Sequence, residues 1–292
     1  MLLRTLASRS TIARRALTTA KPPDPKPHTM AAVGATAGTL GSLAGMGGGF
    51  VAIPLMTRLG VSQHTAHGTS LVGVVCTGAA GAAAYAADGA VDVKAAAAVA
   101  ATGALTAAAG ARAAAALSAA TLSRALGAFM LAVAPIVPCR NQILDAIGAA
   151  DRTKTGDDPV REVVPLLGVG AAAGFLAGLF GVGGGAVVVP LLALATDLDH
   201  KTALGTSLCA MVPTGVAGVL AHRRLGHVKL AAAAPLGLGT CVGAAAGFLA
   251  GLFGVGGGAV VVPLLALATD LDHKTALGTS LCAMVPTGVA GV

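Results

Sequence analysis

The sequence predicts an all-α fold, a polytopic transmembrane helical bundle of about eight passes. Only 11% of its residues are charged and 55% are hydrophobic, whereas a soluble domain carries about 25% charged residues. The runs 29–57, 163–196 and 230–269 lack charge and histidine and hold 29, 34 and 40 residues, and about 20 residues suffice for a helix to span a bilayer. The first partner that the composition implies is therefore the lipid bilayer.

Residues 1–29 have the composition of an organelle transit peptide and a proline-rich spacer. Residues 1–21 contain five Lys and Arg, several Ser and Thr, and no acid, and Leu2, Leu6 and Leu17 fall on one side of a helical wheel. This composition is typical of an organelle address. We predict an integral protein of the mitochondrial inner membrane, with a plastid membrane as the alternative. A basic amphipathic helix lying on a membrane is another interpretation of this segment.

The net charge of +7 does not indicate a nucleic-acid partner. Residues 1–30 hold six Lys and Arg and one acid, so they supply most of this charge and the membrane part is nearly neutral. The chain also has one Tyr and no Trp with which to stack on bases. We therefore predict no binding of nucleic acid.

After the spacer, the chain divides into two related transmembrane halves. The first half covers residues 30–138, a polar loop covers 139–162, and the second half covers 163–241. Helical passes are predicted near 30–57, 68–87, 93–111, 120–138, 163–196, 203–221 and 229–249. With these passes, the amino terminus, the polar loop, Lys94 and the loop 222–229 fall on one side, and Arg58, Arg112 and Lys201 on the other. The excess of Lys and Arg favours the first side as the inner one, the matrix or stroma.

A glycine–proline cassette lies near the start of each half, at 45–71 and 181–208. It combines a Gly-x-Gly-Gly-Gly step, a proline five residues later and a Gly-Thr-Ser-Leu step. Glycine and proline are poor for a straight helix, so we predict broken helices with Pro54 and Pro190 as helix-break residues. A membrane protein tolerates broken backbone only where protein or a water-filled cavity surrounds it. Breaks at corresponding places in two halves point to a transport site.

The cassette chemistry suits a small anionic substrate. Glycines expose successive backbone N–H groups that form an anion-binding nest, and a following helix adds the positive end of its dipole. The candidate substrate-binding residues are Gly47, Gly48, Gly49, Thr69, Ser70, Gly183, Gly184, Gly185, Thr206 and Ser207. Two other interpretations stay open: the glycines serve close helix packing, as Gly170, Gly174 and Gly178 are expected to do, and the hydroxyls bond to carbonyls of the preceding turn.

No residue pattern indicates catalysis, a cofactor or a metal site. Gly181-x-Gly183-x-x-Ala186 fits the dinucleotide fingerprint, but that fingerprint requires a βαβ unit and here lies in an apolar run of bilayer length. The five cysteines lie apart without a Cys-x-x-Cys pair. We predict that the protein is not an enzyme. His64 and His200 occupy matching places after the two cassettes, where solvated loops and a role in gating or proton exchange both stay open.

Residues 242–292 are an exact duplicate of residues 169–219 and bring a third cassette, with its glycine run at 254–258 and Pro263. The first half matches the second only at the level of motifs, which indicates old divergence. Identity over 51 residues indicates instead a recent duplication or an error in assembling the gene. We predict that this copy is truncated and that the natural protein has a different carboxyl terminus.

The cassettes resemble those of the TauE/SafE family of membrane permeases, which are associated with export of sulfite and organosulfonates. The resemblance rests on Gly-x-Gly-Gly-Gly-x-x-x-x-Pro-Leu at 45–55 and 181–191, each followed by Gly-Thr-Ser-Leu. It covers about residues 31–138 and 163–247, and it implies two related halves and about eight helices. The duplicated block stands where the eighth helix is expected.

The resemblance implies a permease or exporter of a small sulfur-containing anion, sulfite or an organosulfonate, that works by alternating access. One alternative is a Gly-rich structural or assembly subunit, as in protein translocases of organelle membranes, which uses glycine for packing alone. Another is a non-functional product of a rearranged gene. A homo-oligomer stays open in each case.

Overall fold

The computed structural model describes residues 26–43, 47–133, 159–196 and 198–252. Within these ranges the chain forms helices joined by short turns and no strand, which confirms the all-α class. The helices are α1 (Pro27–Leu43), α2 (Gly49–Arg58), α3 (Gln63–Ala87), α4 (Val93–Ala116), α5 (Ala119–Val133), α6 (Pro159–Phe180), α7 (Gly185–Ala195), α8 (His200–Arg224) and α9 (Leu230–Leu252). The third cassette and most of the polar loop lie outside the described residues.

Five of these helices, α3, α4, α6, α8 and α9, are long and apolar enough to cross a membrane. Helices α2 and α7 are short, with 10 and 11 residues, because each begins inside a glycine cassette. The total of about eight passes stays a prediction. Helix α6 begins at Pro159, four residues before the predicted start of the second half.

The first glycine cassette turns the chain back to the end of the bundle from which it came. Helix α1 lies parallel to α9, because Gly34 and Gly38 pack on the backbone at Leu236 and Thr240. Helices α9 and α3 begin at the same end as α1, and α2 ends just before α3 begins. Helices α1 and α2 therefore form a re-entrant hairpin, and the single pass predicted for 30–57 is wrong.

The second half repeats this arrangement in the inverted direction. The His64 ring at the start of α3 stacks on His227 beyond the end of α8, and Asp88 beyond the end of α3 pairs with Lys201 at the start of α8. Helices α3 and α8 are therefore antiparallel. Helix α6 runs parallel to α4, and α7 returns to the end where α6 began. Inverted repeats of this kind, with broken helices at their interface, build many transporters.

The hairpins change how the charges sort between the two ends. We term the end where α1 and α3 begin the amino-terminal end, and the other the Lys201 end. Arg58 and Arg112 lie at the amino-terminal end and Lys94 at the Lys201 end, so the sides predicted for these three residues are wrong. The side predicted for the polar loop is wrong as well, because its described end, 159–162, begins α6 at the Lys201 end. The cause is the first hairpin, which reverses every pass until the second hairpin reverses them again. The acids whose side chains are described, Asp88, Asp92 and Asp199, all lie at the Lys201 end, so the positive excess still favours the amino-terminal end as the inner side.

Small residues let the helices approach to backbone contact. Thr102 and Thr106 of α4 donate to the carbonyl oxygens of Leu167 and Ala171 of α6, each at 2.8 Å. A ridge of glycines four residues apart makes this approach possible, and it consists of Gly170, Gly174 and Gly178, which rest on Val99, Gly103 and Ala107. These are the small-xxx-small contacts expected for the three glycines.

The first eleven residues of the duplicated block use the same sequence at two interfaces. Residues 169–179 in α6 and 242–252 in α9 are identical and helical in both places. In α6 the glycine ridge rests on α4, whereas in α9 the corresponding Gly243 and Gly247 rest on α1. A glycine ridge fits any regular helix backbone, which explains how this segment prolongs α9 without a break.

Substitution of Gly174 by alanine will destabilise the bundle, because its Cβ would overlap the backbone of Gly103. Overpacking of this kind costs about 1–3 kcal/mol. Gly168→Ala in the same helix is the matched control, because nothing lies within 4 Å of its added Cβ. Thermal unfolding in detergent should show a lower midpoint for G174A and an unchanged or higher midpoint for G168A. Equal midpoints for both variants would contradict the close packing of α6 on α4.

Candidate functional site

Each cassette forms a tight glycine turn that leads directly into a short helix. In the first, Gly47 and Gly48 have φ of 81° and 68° before α2, and in the second, Gly183 and Gly184 have φ of 93° and 70° before α7. Residues other than glycine rarely adopt these left-handed φ angles. The helices start at Gly49 and Gly185, the last glycines of the two runs. The glycines, rather than the prolines, therefore break the helices.

The prolines lie inside the two short helices. Helix α2 continues through Pro54 to Arg58, and α7 continues through Pro190 to Ala195. This position differs from the predicted helix break. Each proline lies past the first turn, where it removes one intrahelical N–H group without ending the helix.

The two glycine turns meet at the centre of the bundle. A Cβ added to Gly49 would lie 2.6 Å from the Gly181 carbonyl oxygen, so the two backbones are in direct contact. The side chains of Val74 in α3 and Met211 in α8 both lie against Gly47 and against Gly183. Val74 and Met211 are fully buried, with 0% and 1% exposure. They occupy corresponding positions of the two halves, eleven residues into their helices.

The meeting point favours an anion for electrostatic reasons. A helix start leaves N–H groups without partners inside the helix, and neither Gly48 nor Gly184 has a side chain that could cap α2 or α7. In the first glycine turn, Gly47 N and Gly49 N already donate to the carbonyl oxygens of Gly41 at 3.3 Å and Gly47 at 2.8 Å. Each helix start carries about half a positive charge. The runs 29–57 and 163–196, which form the two turns, contain no Asp, Glu, Lys or Arg. Two positive helix ends therefore meet in buried surroundings.

A small cavity adjoins the second turn. It borders Gly183 and Gly184 and contacts helices α4, α6, α7 and α8. Its other lining residues are Val99, Gly170, Ala173, Val188, Ala210, Met211 and Thr214. Most of this lining is apolar, so the polar surface beside the cavity consists of backbone at the turn and the Thr214 hydroxyl.

The Gly-Thr-Ser steps join the two halves to each other. Thr206 Oγ1 accepts a hydrogen bond from Asp92 N at 2.9 Å, and Thr69 Oγ1 accepts one from Lys229 N at 3.4 Å. Each threonine of one half therefore holds the start of a helix of the other half. All four hydroxyl residues of the two steps, Thr69, Ser70, Thr206 and Ser207, are buried.

Ser70 links the first Gly-Thr-Ser step to the second glycine turn. Its hydroxyl lies 2.8 Å from the His67 carbonyl oxygen and 2.8 Å from the Gly181 carbonyl oxygen. The bond to His67 is the contact with a preceding turn that was one of the two interpretations. The bond to Gly181 joins Ser70 of the first cassette to the glycine turn of the second cassette. The candidate residues thus separate into glycines at the centre and hydroxyls that hold the halves around them.

Sequence reasoning missed a cluster of histidines at the amino-terminal end. His64 was paired with His200 by position, but the alignment of the halves that pairs Val74 with Met211 places Lys201 opposite His64. His64 lies with His67, His222 and His227 instead. The stretch 222–229 contains two of these histidines, and only the inverted packing of α3 against α8 brings it beside the start of α3. Burial and the nearby His64 lower the pKa of His227. At the Lys201 end, the equivalent region holds Asp88 and Lys201, which form an ion pair. No group of three or more His, Cys, Asp or Glu within the described ranges could hold a metal ion.

Comparison with known proteins agrees with this architecture. The family model described as "Sulfite exporter TauE/SafE" matches residues 30–246 and, a second time, 240–292. A probable membrane transporter protein of Bacillus subtilis, YunE, is 28% identical over 213 residues, covering 68% of this chain and 78% of the relative. One of Methanocaldococcus jannaschii is 29% identical over 197 residues, covering 65% and 70%. One of Haemophilus influenzae is 48% identical over 67 residues, which cover 20% of this chain and a quarter (25%) of the relative.

No solved structure matches the chain. The second match of the family model, at 240–292, reflects the duplicated block, and the first spans both halves described above. The inverted halves, the paired glycine turns and a match over most of the sequence lead to the same conclusion. The chain belongs to the TauE/SafE family and is a membrane transporter of that family.

Proposed function

We propose that the chain carries a small sulfur-containing anion, sulfite or an organosulfonate, across the membrane by alternating access. The observation that carries this proposal is the meeting of two uncapped, positive helix starts at the centre of the bundle. The description of the family as sulfite exporters supports the choice of anion. The rival is a Gly-rich assembly subunit, in which the same glycines would serve packing alone.

In the proposed site, the anion lies between the two glycine turns and accepts hydrogen bonds from N–H groups at the starts of α2 and α7 other than those of Gly47 and Gly49, which donate to carbonyl oxygens in this structure. In this structure, Val74 and Met211 fill the space beside Gly47 and Gly183, so in the proposed cycle the anion reaches the turns when these two side chains move with their helices. A compact oxyanion with several acceptor oxygens fits two converging sets of donors better than a large or apolar solute does.

We assign the four hydroxyls a role in the movement of the halves. Thr69 and Thr206 bridge to the opposite half, so any rocking of one half against the other changes their partners. In the proposed cycle, Thr69, Ser70, Thr206 and Ser207 bond to the anion when the halves part. Val74 and Met211 close the centre when the halves come together again.

For the location, we propose the mitochondrial inner membrane, with a plastid membrane as the alternative. The support is the composition of residues 1–21, which is basic and free of acids. The named relatives are bacterial and archaeal, so the address would be an addition to a transporter of prokaryotic type.

Flux of labelled sulfite into proteoliposomes tests the function, and Gly183→Ala tests the site. We expect competition by related sulfur anions in the unaltered chain. In G183A we expect a loss of about tenfold or more, because about 1.4 kcal/mol of lost anion binding suffices for this effect. The measurement is initial uptake rate at equal protein density, with thermal unfolding as the check of folding.

The control for this experiment is Gly89→Ala. Gly89 has φ of 70°, so alanine meets a similar backbone strain, but nothing lies within 4 Å of the added Cβ. It should keep full flux. If folded G183A transports as well as G89A, the glycine turn does not bind the anion. If the unaltered folded chain carries no sulfur anion at all, the packing subunit replaces the transporter proposed here.

Truncation tests the contribution of the third cassette. A chain that ends at Leu252 keeps all of α9, and we expect it to fold and to carry sulfite at the full rate. A chain that ends at Ala244 loses Gly247, which packs on Thr39 and Ser42 of α1. Its unfolding midpoint should fall by about 2–4 °C for each kcal/mol of stability that is lost with this contact. Loss of flux on truncation at Leu252 would show that the duplicated block takes part in transport.

Fusion of residues 1–29 to a fluorescent protein tests the address. We expect mitochondrial fluorescence in a cell that has both mitochondria and plastids. Replacing Arg14 and Arg15 by alanine should reduce import, because a transit peptide of this kind depends on its basic residues. Plastid fluorescence would select the alternative, and diffuse fluorescence of the unaltered fusion would contradict an address in this segment.

A further inference from the structure

Four histidines from three segments meet at the amino-terminal end of the bundle. His64 and His67 belong to the first turns of α3, His222 to the last turn of α8, and His227 to the loop before α9. The ring centroids of His64 and His227 are 5.2 Å apart, and those of His222 and His227 are 5.8 Å apart. His67 and His222 are buried, with 0% and 1% exposure. Imidazoles at these separations, two of the four buried and two partly buried, interact electrostatically with one another.

His222 presents a basic nitrogen without a hydrogen-bond partner. Its Nε2 lies 2.7 Å from the carbonyl oxygen of Gly178. A carbonyl oxygen only accepts hydrogen bonds, so Nε2 carries the hydrogen and Nδ1 carries the lone pair. His222 Nδ1 is buried and has no partner, and the same is true of Nδ1 of His64, His67 and His227. A buried polar atom without a partner costs about 1–3 kcal/mol, and such an orphan in a native structure suggests a role.

The surroundings of the cluster contain groups that oppose a protonated histidine and groups that favour one. Burial opposes a charged imidazole, and so do the cations described at the same end, which are Lys26, Arg58, Arg112, Arg124, Arg223, Arg224 and Lys229. No carboxylate with a described side chain lies at this end to offset them. The carbonyl ends of α6 and α8 act in the other direction, because a helix carboxyl terminus favours a cation. An anion that arrived at this end would add the missing negative charge.

The inverted repeat of the backbone does not require histidines at these positions. At the Lys201 end, the position equivalent to His222 is Tyr85, and the ion pair of Lys201 with Asp88 lies close to it. The two ends are built on the same backbone plan and differ in these side chains. The histidine cluster therefore adds a property to one end that the other end lacks.

The cluster contacts the second glycine turn through two short paths. His222 bonds to Gly178 in the last turn of α6, three residues before the turn begins. The His67 carbonyl oxygen and the Gly181 carbonyl oxygen accept from the same Ser70 hydroxyl. A change in the charge of the cluster therefore acts on the backbone that leads into the proposed anion site.

We propose that the histidine cluster, with His222 Nδ1 as its acceptor, takes up a proton from water at the amino-terminal end together with the anion, so that transport is coupled to a proton gradient. The proton adds to the lone pair of the ring nitrogen and forms an imidazolium, whose charge the anion offsets. For coupling, the imidazolium gives up this proton to water on the Lys201 side, when the halves have parted there and the anion leaves, so that one proton crosses with each anion. The inference rests on the proposed function, since it names the coupling ion of the same transport cycle.

The first test compares sulfite flux with and without an imposed pH gradient, with the membrane potential clamped. Flux of the unaltered chain should rise at least about threefold, or about 0.65 kcal/mol, when the amino-terminal side is acidic. In His222→Gln, which keeps an amide donor for Gly178 and cannot bind a proton, the ratio of the two rates should fall to one. His28→Gln is the control, because His28 is an exposed histidine at the start of α1, and it should keep the ratio of the unaltered chain.

A second measurement tests the proton site without transport. Deuterium exchange at the imidazole C2 position, followed by mass spectrometry of the purified full chain, reports the titration of His222. Sulfite should move its midpoint upward relative to chloride at equal ionic strength, because a bound anion favours the imidazolium.

The outcomes separate the two proposals. Sulfite flux that ignores the pH gradient, or a gradient response that H222Q keeps, would overturn proton coupling and leave the transporter proposal standing. If the folded chain carries no sulfite, the transporter proposal fails on its own, and the titration then decides about the cluster. A His222 midpoint that is the same in sulfite and chloride would overturn the anion-linked proton site.

Discussion

Backbone-to-backbone contact between the two glycine turns is the constraint on which this structure depends. The turns meet at mid-depth, where α2 and α7 begin and where Val74 and Met211 lie against both. Any side chain on Gly47 or Gly183 would have to displace these neighbours, and the positive φ angles would add strain. The same absence of side chains places the starts of two helices, with their positive dipole ends, in the interior of the bundle. The requirement of packing and the suitability for an anion therefore have one physical origin.

The remainder of the bundle is held together by the same kind of contact. Lipid is as apolar as the helix surfaces, so helices in a membrane gain little from burying apolar side chains and depend on close fit and hydrogen bonds. The glycine ridge of α6, the threonine bonds from α4 and the matching ridge of α9 supply this fit. An eleven-residue copy of the α6 ridge serves α9 equally well, because the ridge fits backbone and makes no demand on particular side chains.

An inverted repeat makes the two ends alike in backbone and free to differ in side chains. One end holds the Asp88–Lys201 ion pair and the other holds four histidines that lack partners for Nδ1. A transporter that opens alternately to each side passes through two states whose backbone arrangements are nearly equivalent. Side chains that differ between the ends are then what gives the two states unequal energies.

Although the helix breaks lie at the glycine turns and not at Pro54 and Pro190 as predicted, the sequence alone determined the class of protein, the boundaries of most helices to within a few residues and the presence of a break in each cassette. It could do so because long uncharged runs and clustered glycines act locally, through hydropathy and through φ. It did not determine that 30–57 returns to its own end, because hydropathy measures the length of an apolar run and not its direction. Because of that error, the predicted sides of Arg58, Lys94, Arg112 and the polar loop were wrong. Tertiary structure alone decided that Thr69 and Thr206 bridge the halves and that His64 joins His222, because these contacts join residues more than a hundred positions apart through the antiparallel packing of α3 and α8.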